Sequence, residues 1–474
     1  MEKKKLIKID KLLCVLIVLC PMLDMLSFIF RNTFETKISP STFLRPIISI
    51  IVIIYIVIKD KNRWKIIGVG AIYGIYALIH IFIFNQIRTG CSYGSILHEA
   101  QYLMNYSFMI LNLFLFIYVF RKENFKPVQK SLFIAIATYI SSIYIAIFTG
   151  TSSFTYPVEQ MGYKGWFESG NSLSAILVLS MFVILPLIKK CKNIKEKLAY
   201  IAVIALVGIF LMTQIGTRVG LFGFILILGL YIFLEIIFSI FKNKKINRKV
   251  ILAGIGIIAA IAVVVVVFGS NTFTRRKHME QESKNSYDEK QEKVAHLTGD
   301  VLTIHEAIVE NTIEEGYLSK AEEKSFLELY DIANKYNLKN NDQRLHQIIY
   351  NLLLVKNQSN IGLIIFGNGY LNNFRELVLE MELMSFLLNF GIFGFALYII
   401  PFLTLLIYAF VQIIRNIKKI DVQCVMLFLG SGFAYVLSLL SGYVFFNSSS
   451  MIIVIVLHVG LVNKIYQIKN DIKN

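Results

Sequence analysis

Charge is scarce in this chain: Asp, Glu, Lys and Arg make up 17% of its 474 residues, where soluble globular proteins carry about 25%. So few charges cannot clothe a water-facing surface, and 56% of the residues are hydrophobic, with a mean hydropathy of +0.63. Cysteine is sparse as well. Cys14, Cys20 and Cys424 fall in or beside apolar runs, Cys191 in a basic stretch and Cys91 between two runs. With no Cys-x-x-Cys, neither a disulfide framework nor a zinc site is indicated. No Asp-x-Asp metal motif stands out, and no internal repeat is visible. The first apolar run lacks a small-residue cleavage site and contains Pro21 and Asp24. It is expected to be a retained span rather than a cleaved signal peptide.

What the chain has instead is a succession of apolar runs of about 20 residues, the length that crosses roughly 30 Å of hydrocarbon. They fall at 12–30, 41–58, 65–84, 101–120, 131–149, 171–188, 198–213, 217–240, 250–269, 383–413, 422–440 and 444–463. Most are rich in Ile, Leu, Phe and Val all round, as bilayer spans are and amphipathic surface helices are not. The pattern predicts an all-α, polytopic integral membrane protein with about 12 spans. Residues 214–217 alone separate the seventh run from the eighth, so that turn must be tight. The long run at 383–413 is predicted to tilt or to begin as an interfacial segment.

A formal charge of +17 would suggest nucleic acid on a soluble protein. Here the basic residues cluster in short stretches between apolar runs, where orientation signals belong. Nucleic acid is therefore not an expected partner. With the N-terminus inside, about 29 of the 48 Lys and Arg fall on the cytoplasmic side, and about 6 in short outer loops. Both termini are expected inside the cytoplasmic membrane, with one long loop outside.

Composition shifts abruptly near residue 270, giving three expected regions: a transmembrane bundle over 1–269, a polar outer loop over 270–380 and C-terminal spans over 381–474. The loop carries helical patterning. Phe326, Leu329, Tyr330, Ala333 and Tyr336 recur at three- to four-residue spacing, as do Leu345, Ile348, Ile349, Leu352 and Leu353 after the capping candidates Asn341 and Asp342. Two or three amphipathic helices lying over the outer surface are expected, with disorder around 281–293.

A charge inside the bilayer costs about 2.5–3.5 kcal/mol or more on insertion scales. Asp24, Arg45, His80 and Arg218 nevertheless fall in the outer half or at the outer end of their spans. Asp24 and Arg45 are placed to pair between the first two helices, either as a structural ion pair or in a polar pocket beneath the long loop. Glu235 and His458 lie toward the inner side and read as structural.

Two segments resemble the O-antigen ligase/polymerase family, integral membrane enzymes that polymerise or ligate lipid-linked polysaccharide. Met212-Thr-Gln-Ile-Gly-Thr-Arg218-Val-Gly is similar to that family's Thr-x-Ser-Arg-x-Gly element, with Thr217 in place of serine. Phe366-Gly367-Asn-Gly369-Tyr370 is followed by Glu380-Met-Glu382 and Asn389-Phe-Gly391-Ile-Phe-Gly394. Family members commonly place His-Asn eleven residues before the Gly-Ile-x-Gly step; here that position is Glu380. Arg344, in Asp342-Gln-Arg-Leu-His346, looks like the loop arginine that precedes the Gly-x-Gly-Tyr segment. The resemblance covers roughly residues 200–400 and implies a GT-C-like architecture with its long loop before the last three helices.

The implied donor is a glycan on a polyprenyl diphosphate in the outer leaflet, a substrate whose diphosphate must be held as it leaves. Arginine suits this because its planar fork binds phosphate oxygens and stays charged. Arg218 and Arg344 are the expected clamps, with Arg45, Lys164, Arg276 and Arg375 as further cations. The acceptor hydroxyl needs a base, for which Glu380 stands at the family position and Glu382 is the alternate. Residues two apart point to different faces of a helix, so one of them serves. Attack opposite the diphosphate would invert the anomeric centre, without metal or cofactor. Gly367, Gly369, Gly391 and Gly394 read as turn and close-packing positions. Membrane lipids, a chain-length regulator and other polysaccharide assembly proteins are the expected partners.

Other functions make different demands. A flippase of lipid-linked oligosaccharides should show repeated halves and helices broken near the midplane, and neither is read from the sequence. A cell-wall glycan polymerase of the shape-and-division type would share the large loop, but its motifs are missing. A non-enzymatic surface or sensor protein is the remaining alternative.

Overall fold

The structure is a computed structural model. It describes residues 3–34, 40–59, 63–88, 96–157, 159–241, 269–278, 300–313, 317–336, 343–369, 379–440 and 442–473, with isolated positions between 252 and 263 and at 338 and 377. Five helices open the chain: α1 (Lys3–Phe34), α2 (Pro40–Lys59), α3 (Arg63–Arg88), α4 (Ile96–Phe120) and α5 (Lys126–Phe148). A hairpin of β1 (Ser153–Tyr156) and β2 (Met161–Gly165) leads to α6 (Gly170–Ile184), α7 (Ile194–Ile209) and α8 (Arg218–Phe241). The polar connection contains α9 (Asp300–Val309), α10 (Lys320–Lys335), α11 (Gln343–Gln358) and the short α12 (Ile361–Phe366). The chain closes with α13 (Glu382–Asn389), α14 (Gly391–Tyr398), α15 (Ile400–Arg415), α16 (Val422–Leu440) and α17 (Ser448–Lys473).

Among the described residues, nine helices are long and apolar enough to cross a membrane: α1, α3 to α8, α16 and α17. The pair α14–α15 makes a tenth if its two halves form one span, but they meet at a bend of 47°. The run at 383–413, expected to tilt or to begin as an interfacial segment, is divided into three helices. Pro401 in the first turn of α15 lacks the N–H that would continue the ladder, and Gly391, at φ 71°, separates α13 from α14. The apolar part of α2, Leu44–Ile58, is shorter than a full span. The span expected at 250–269 lies largely outside the described residues.

Local chemistry sets the helix ends. α5 has proline in its first turn and stops in a Schellman arrangement. There Thr151 N–H donates to Ala146 O at 2.9 Å and Gly150 N–H to Ile147 O at 3.1 Å, with Gly150 at φ 68°. Ser169 caps α6, its Oγ accepting from Ser172 N–H. α6 and α17 are buried almost throughout and form the bundle's centre.

The hairpin was not anticipated in an all-α reading. Its strands pair antiparallel, Phe154 opposite Tyr163 and Tyr156 opposite Met161.

The polar connection is helical, as expected, and has its own core of Phe326, Leu329, Ala333, Tyr350 and Leu354. Ser319 and Glu322 form a capping box that starts α10. The face of α11 differs in part from expectation. Leu353 is buried and Ile349 packs on the core as expected, but Leu345 and Leu352 are exposed while Gln347, Tyr350 and Asn351 are buried, so the helix docks through polar as well as apolar side chains. Asn341, Asp342 and 281–293 lie outside the described residues.

Candidate active site

The loop 442–447, joining α16 to α17, is the hub of one end of the bundle. Glu382, fully buried at the start of α13, accepts the N–H groups of Val444, Phe445 and Phe446 at 2.7, 2.9 and 2.8 Å. Full burial pushes its carboxyl up to about 7, opposed by those backbone donors, which favour the charged form. The geometry is that of an anchor. Asn447 then caps α17, its Oδ1 accepting from Ser449 and Ser450 N–H.

Ser449 carries the loop to a second group. Its hydroxyl donates to Asp24 at 2.6 Å and accepts from Arg45 at 2.7 Å. Arg45, only 3% exposed, pairs with Asp24 as the sequence suggested, and Tyr139 Oη donates to the same carboxylate. These groups line a polar cavity of about 180 Å³ whose rim includes Arg31, Asn105, Glu168 and Asn447. Arg31 pairs with Glu168 at 2.9 Å. Arg45 is held by protein partners and serves the cavity wall.

On the other side of the loop, Arg344 Nε donates to Glu380 Oε2 at 3.1 Å and its Nη1 to the Leu440 carbonyl at the end of α16. The arginine is 44% exposed and the carboxylate 38%, so both remain open to a ligand. Gln347 Oε1, three residues along α11, accepts the Glu380 N–H at 3.1 Å. Gly442, at φ 68°, allows this approach: a Cβ there would stand 2.3 Å from Glu380 O.

The Phe366–Gly369 turn supports α11. Asn368 Nδ2 donates to Asn351 Oδ1, and the turn's backbone N–H groups bond Leu388 and Asn389 carbonyls at 3.0 Å. Gly367 and Gly391 pack backbone to backbone. A Cβ on the first would meet Asn389 O at 2.1 Å, and one on the second Ile365 O at 2.4 Å, both at positive φ. Gly369 packs on Phe84, and Gly394 leaves room for Tyr76 Oη.

Beneath this turn lies a pair the sequence reading missed. His80 Nε2 stands 2.6 Å from Glu99 Oε1, and His80 Nδ1 2.5 Å from the Phe366 carbonyl, with both side chains buried. The signal was two ionisable residues facing each other across a short polar connector between α3 and α4.

Arg218 sits at the first position of α8, where Thr217 caps the helix by accepting the Gly220 N–H at 3.1 Å. Thr217 Oγ1 also bonds Ser174 Oγ at 2.6 Å, tying the turn to α6. The tight turn is closed by one π-helical turn, Phe210–Gln214, and by Gly216 at φ 79°. A cation at this end opposes the helix dipole, so the place gathers positive charge. Arg275 stacks on Tyr156 at 3.4 Å beside it, in the helical segment 271–278 that also carries Arg276. Lys164 donates to Glu168 O at 2.8 Å, and partial burial lowers its ammonium.

The structure therefore joins Arg344 to Glu380 directly, Glu382 to the 442–447 loop and Arg45 to the first turn of the helix that follows it. Among the described residues no contact links Arg218 to Arg344 or Glu380, although all stand at the same end of the bundle. Arg375 lies outside the described residues.

One family model matches this chain, that of the O-antigen ligase like membrane proteins, over residues 7–468. No curated protein and no solved structure matches. The chain belongs to the O-antigen ligase like membrane protein family.

Proposed function

We propose that this family member is a membrane glycosyltransferase that polymerises or ligates polysaccharide repeat units carried on a polyprenyl diphosphate. It works at the outer face of a bacterial cytoplasmic membrane, with both termini inside and the polar connection outside. The observation that carries the reading is the half-exposed Arg344–Glu380 pair, which brings a phosphate-binding cation and a carboxylate to 3.1 Å across 36 residues of chain.

The donor's diphosphate draws Arg344 into a bidentate contact and releases Glu380. Glu380 then accepts the proton of the acceptor hydroxyl, whose oxygen attacks the anomeric carbon from the face opposite the diphosphate. The bond from that carbon to the phosphate oxygen breaks, and its electron pair leaves on the diphosphate, where Arg344, Arg218 and Arg276 balance the charge. The product is inverted, and no metal enters the scheme. Lys164 is a further cation at that face, and Arg45 shapes the cavity through Asp24. Glu382 anchors the loop that positions the Leu440 carbonyl.

Purified protein in nanodiscs, given a polyprenyl-diphosphate repeat unit, should lengthen the glycan or move it to an acceptor. Arg344→Ala and Glu380→Gln should each abolish turnover while the protein stays folded. Full activity in both variants would overturn the reading. Movement of intact units between leaflets, with no change in glycan length, would identify a flippase instead.

A further inference from the structure

The opposite end of the bundle holds the larger cavity, about 580 Å³, within the range of small-molecule pockets. Five lysines line it: Lys126 and Lys130 from the first turns of α5, Lys190 and Lys192 from the end of α6 and beyond, and Lys464 from α17. Glu196 is the one carboxylate of the lining. Lys464 is taken by Asp421 at 2.9 Å, and Lys190 donates to the Gln423 side chain. Among the described residues, Lys126, Lys130 and Lys192 have no ion-pair partner.

A bias of lysines toward one membrane face explains their side but not their convergence. Cations that only orient a span spread into water, because neighbouring like charges repel. Here separate segments of the chain deliver them to one concavity. Two stand at the start of α5, where the helix dipole is already positive and Asn124 Oδ1 takes up the Lys126 N–H at 3.1 Å. The cavity sits at the ends of helices long and apolar enough to cross a membrane.

We infer that this cavity binds a phosphorylated anion, either a lipid headgroup or a soluble polyphosphate, at a site separate from the Arg344–Glu380 pair. Lys126, Lys130 and Lys192 are its unshared donors, Lys190 and Lys464 its walls. The inference does not depend on the proposed reaction.

The test uses the full chain in nanodiscs and two probes. Native mass spectrometry reads retention of cardiolipin against phosphatidylcholine, and thermal unfolding reads the shift produced by inorganic pyrophosphate. The variant Lys130→Gln/Lys192→Gln should bind roughly tenfold more weakly, as loss of charge-assisted hydrogen bonds implies. The control Lys195→Gln/Lys418→Gln removes two exposed lysines outside the lining and should change little. The double arginine variant should restore binding.

Retention of cardiolipin alone supports the site and names the lipid as its source. A pyrophosphate shift alone supports it with a soluble ligand, and both together support a site open to either. Equal loss in cavity and control variants would mean a basic surface only and would overturn the inference, as would no preference over phosphatidylcholine and no pyrophosphate shift.

Discussion

The two ends of the bundle treat their cations differently. At one end, Arg45 has Asp24 and Ser449, Arg344 has Glu380 and the Leu440 carbonyl, and Arg31 has Glu168. At the other, three of the five lysines around the larger cavity have no ion-pair partner among the described residues. Internal partners hold these three guanidinium groups in defined directions at the first end, whereas the second end holds positive charge ready for something from outside. Positioned cations suit chemistry, and unmatched ones suit binding.

The largest effect that would break this contrast is at Asp24. Removing one partner of a buried pair leaves the other uncompensated, so Asp24→Ala should cost about 3–5 kcal/mol, read from thermal unfolding in detergent. An unchanged melting temperature would put that end on a par with the lysine end. Arg344→Ala should next lower glycan transfer by about 10²–10³-fold, the usual loss when one electrostatic donor is removed. Its stability should move by less than about 1 kcal/mol, since the pair is half exposed.

Glu382→Gln turns an amide NH₂ toward a backbone donor and should cost about 1–3 kcal/mol. It should also change the response to pH. The carboxyl's ordinary value of 4.5 rises to about 7 in the folded protein, so folding favours its protonated form. That contribution is complete below pH about 4.5 and is lost as pH climbs through about 7. The wild-type melting temperature should fall between about pH 4.5 and about pH 7 and level off above that, and the variant should lack this component. Lys130→Gln, at the opposite end, should change stability by no more than about 0.5 kcal/mol in either direction. A large loss there would show that the lysines have internal partners after all.

Much of the membrane architecture is legible in the sequence because a 20-residue apolar run has few other uses. The Asp24–Arg45 pair is legible too, since adjacent helices brought two opposite charges to similar depth. Ser449, which bridges them, is not. It comes from 404 residues beyond Arg45, and no local pattern marks it. The bend at Pro401 escaped because hydropathy averages across it, and hydropathy alone registers no turn. The polar face of α11 was misread for a related reason. Periodicity located Leu345 and Leu352, but Gln347 and Asn351 are buried only because Glu380 and Asn368 meet them.

The carbonyl that Arg344 grips belongs to the last residue of α16, and the loop that follows runs directly to Ser449 beside Asp24. Under the proposed reaction, a donor that drew Arg344 away would free a helix terminus as well as a carboxylate, and the chain beyond that terminus leads to Ser449 on the wall of the Asp24 cavity.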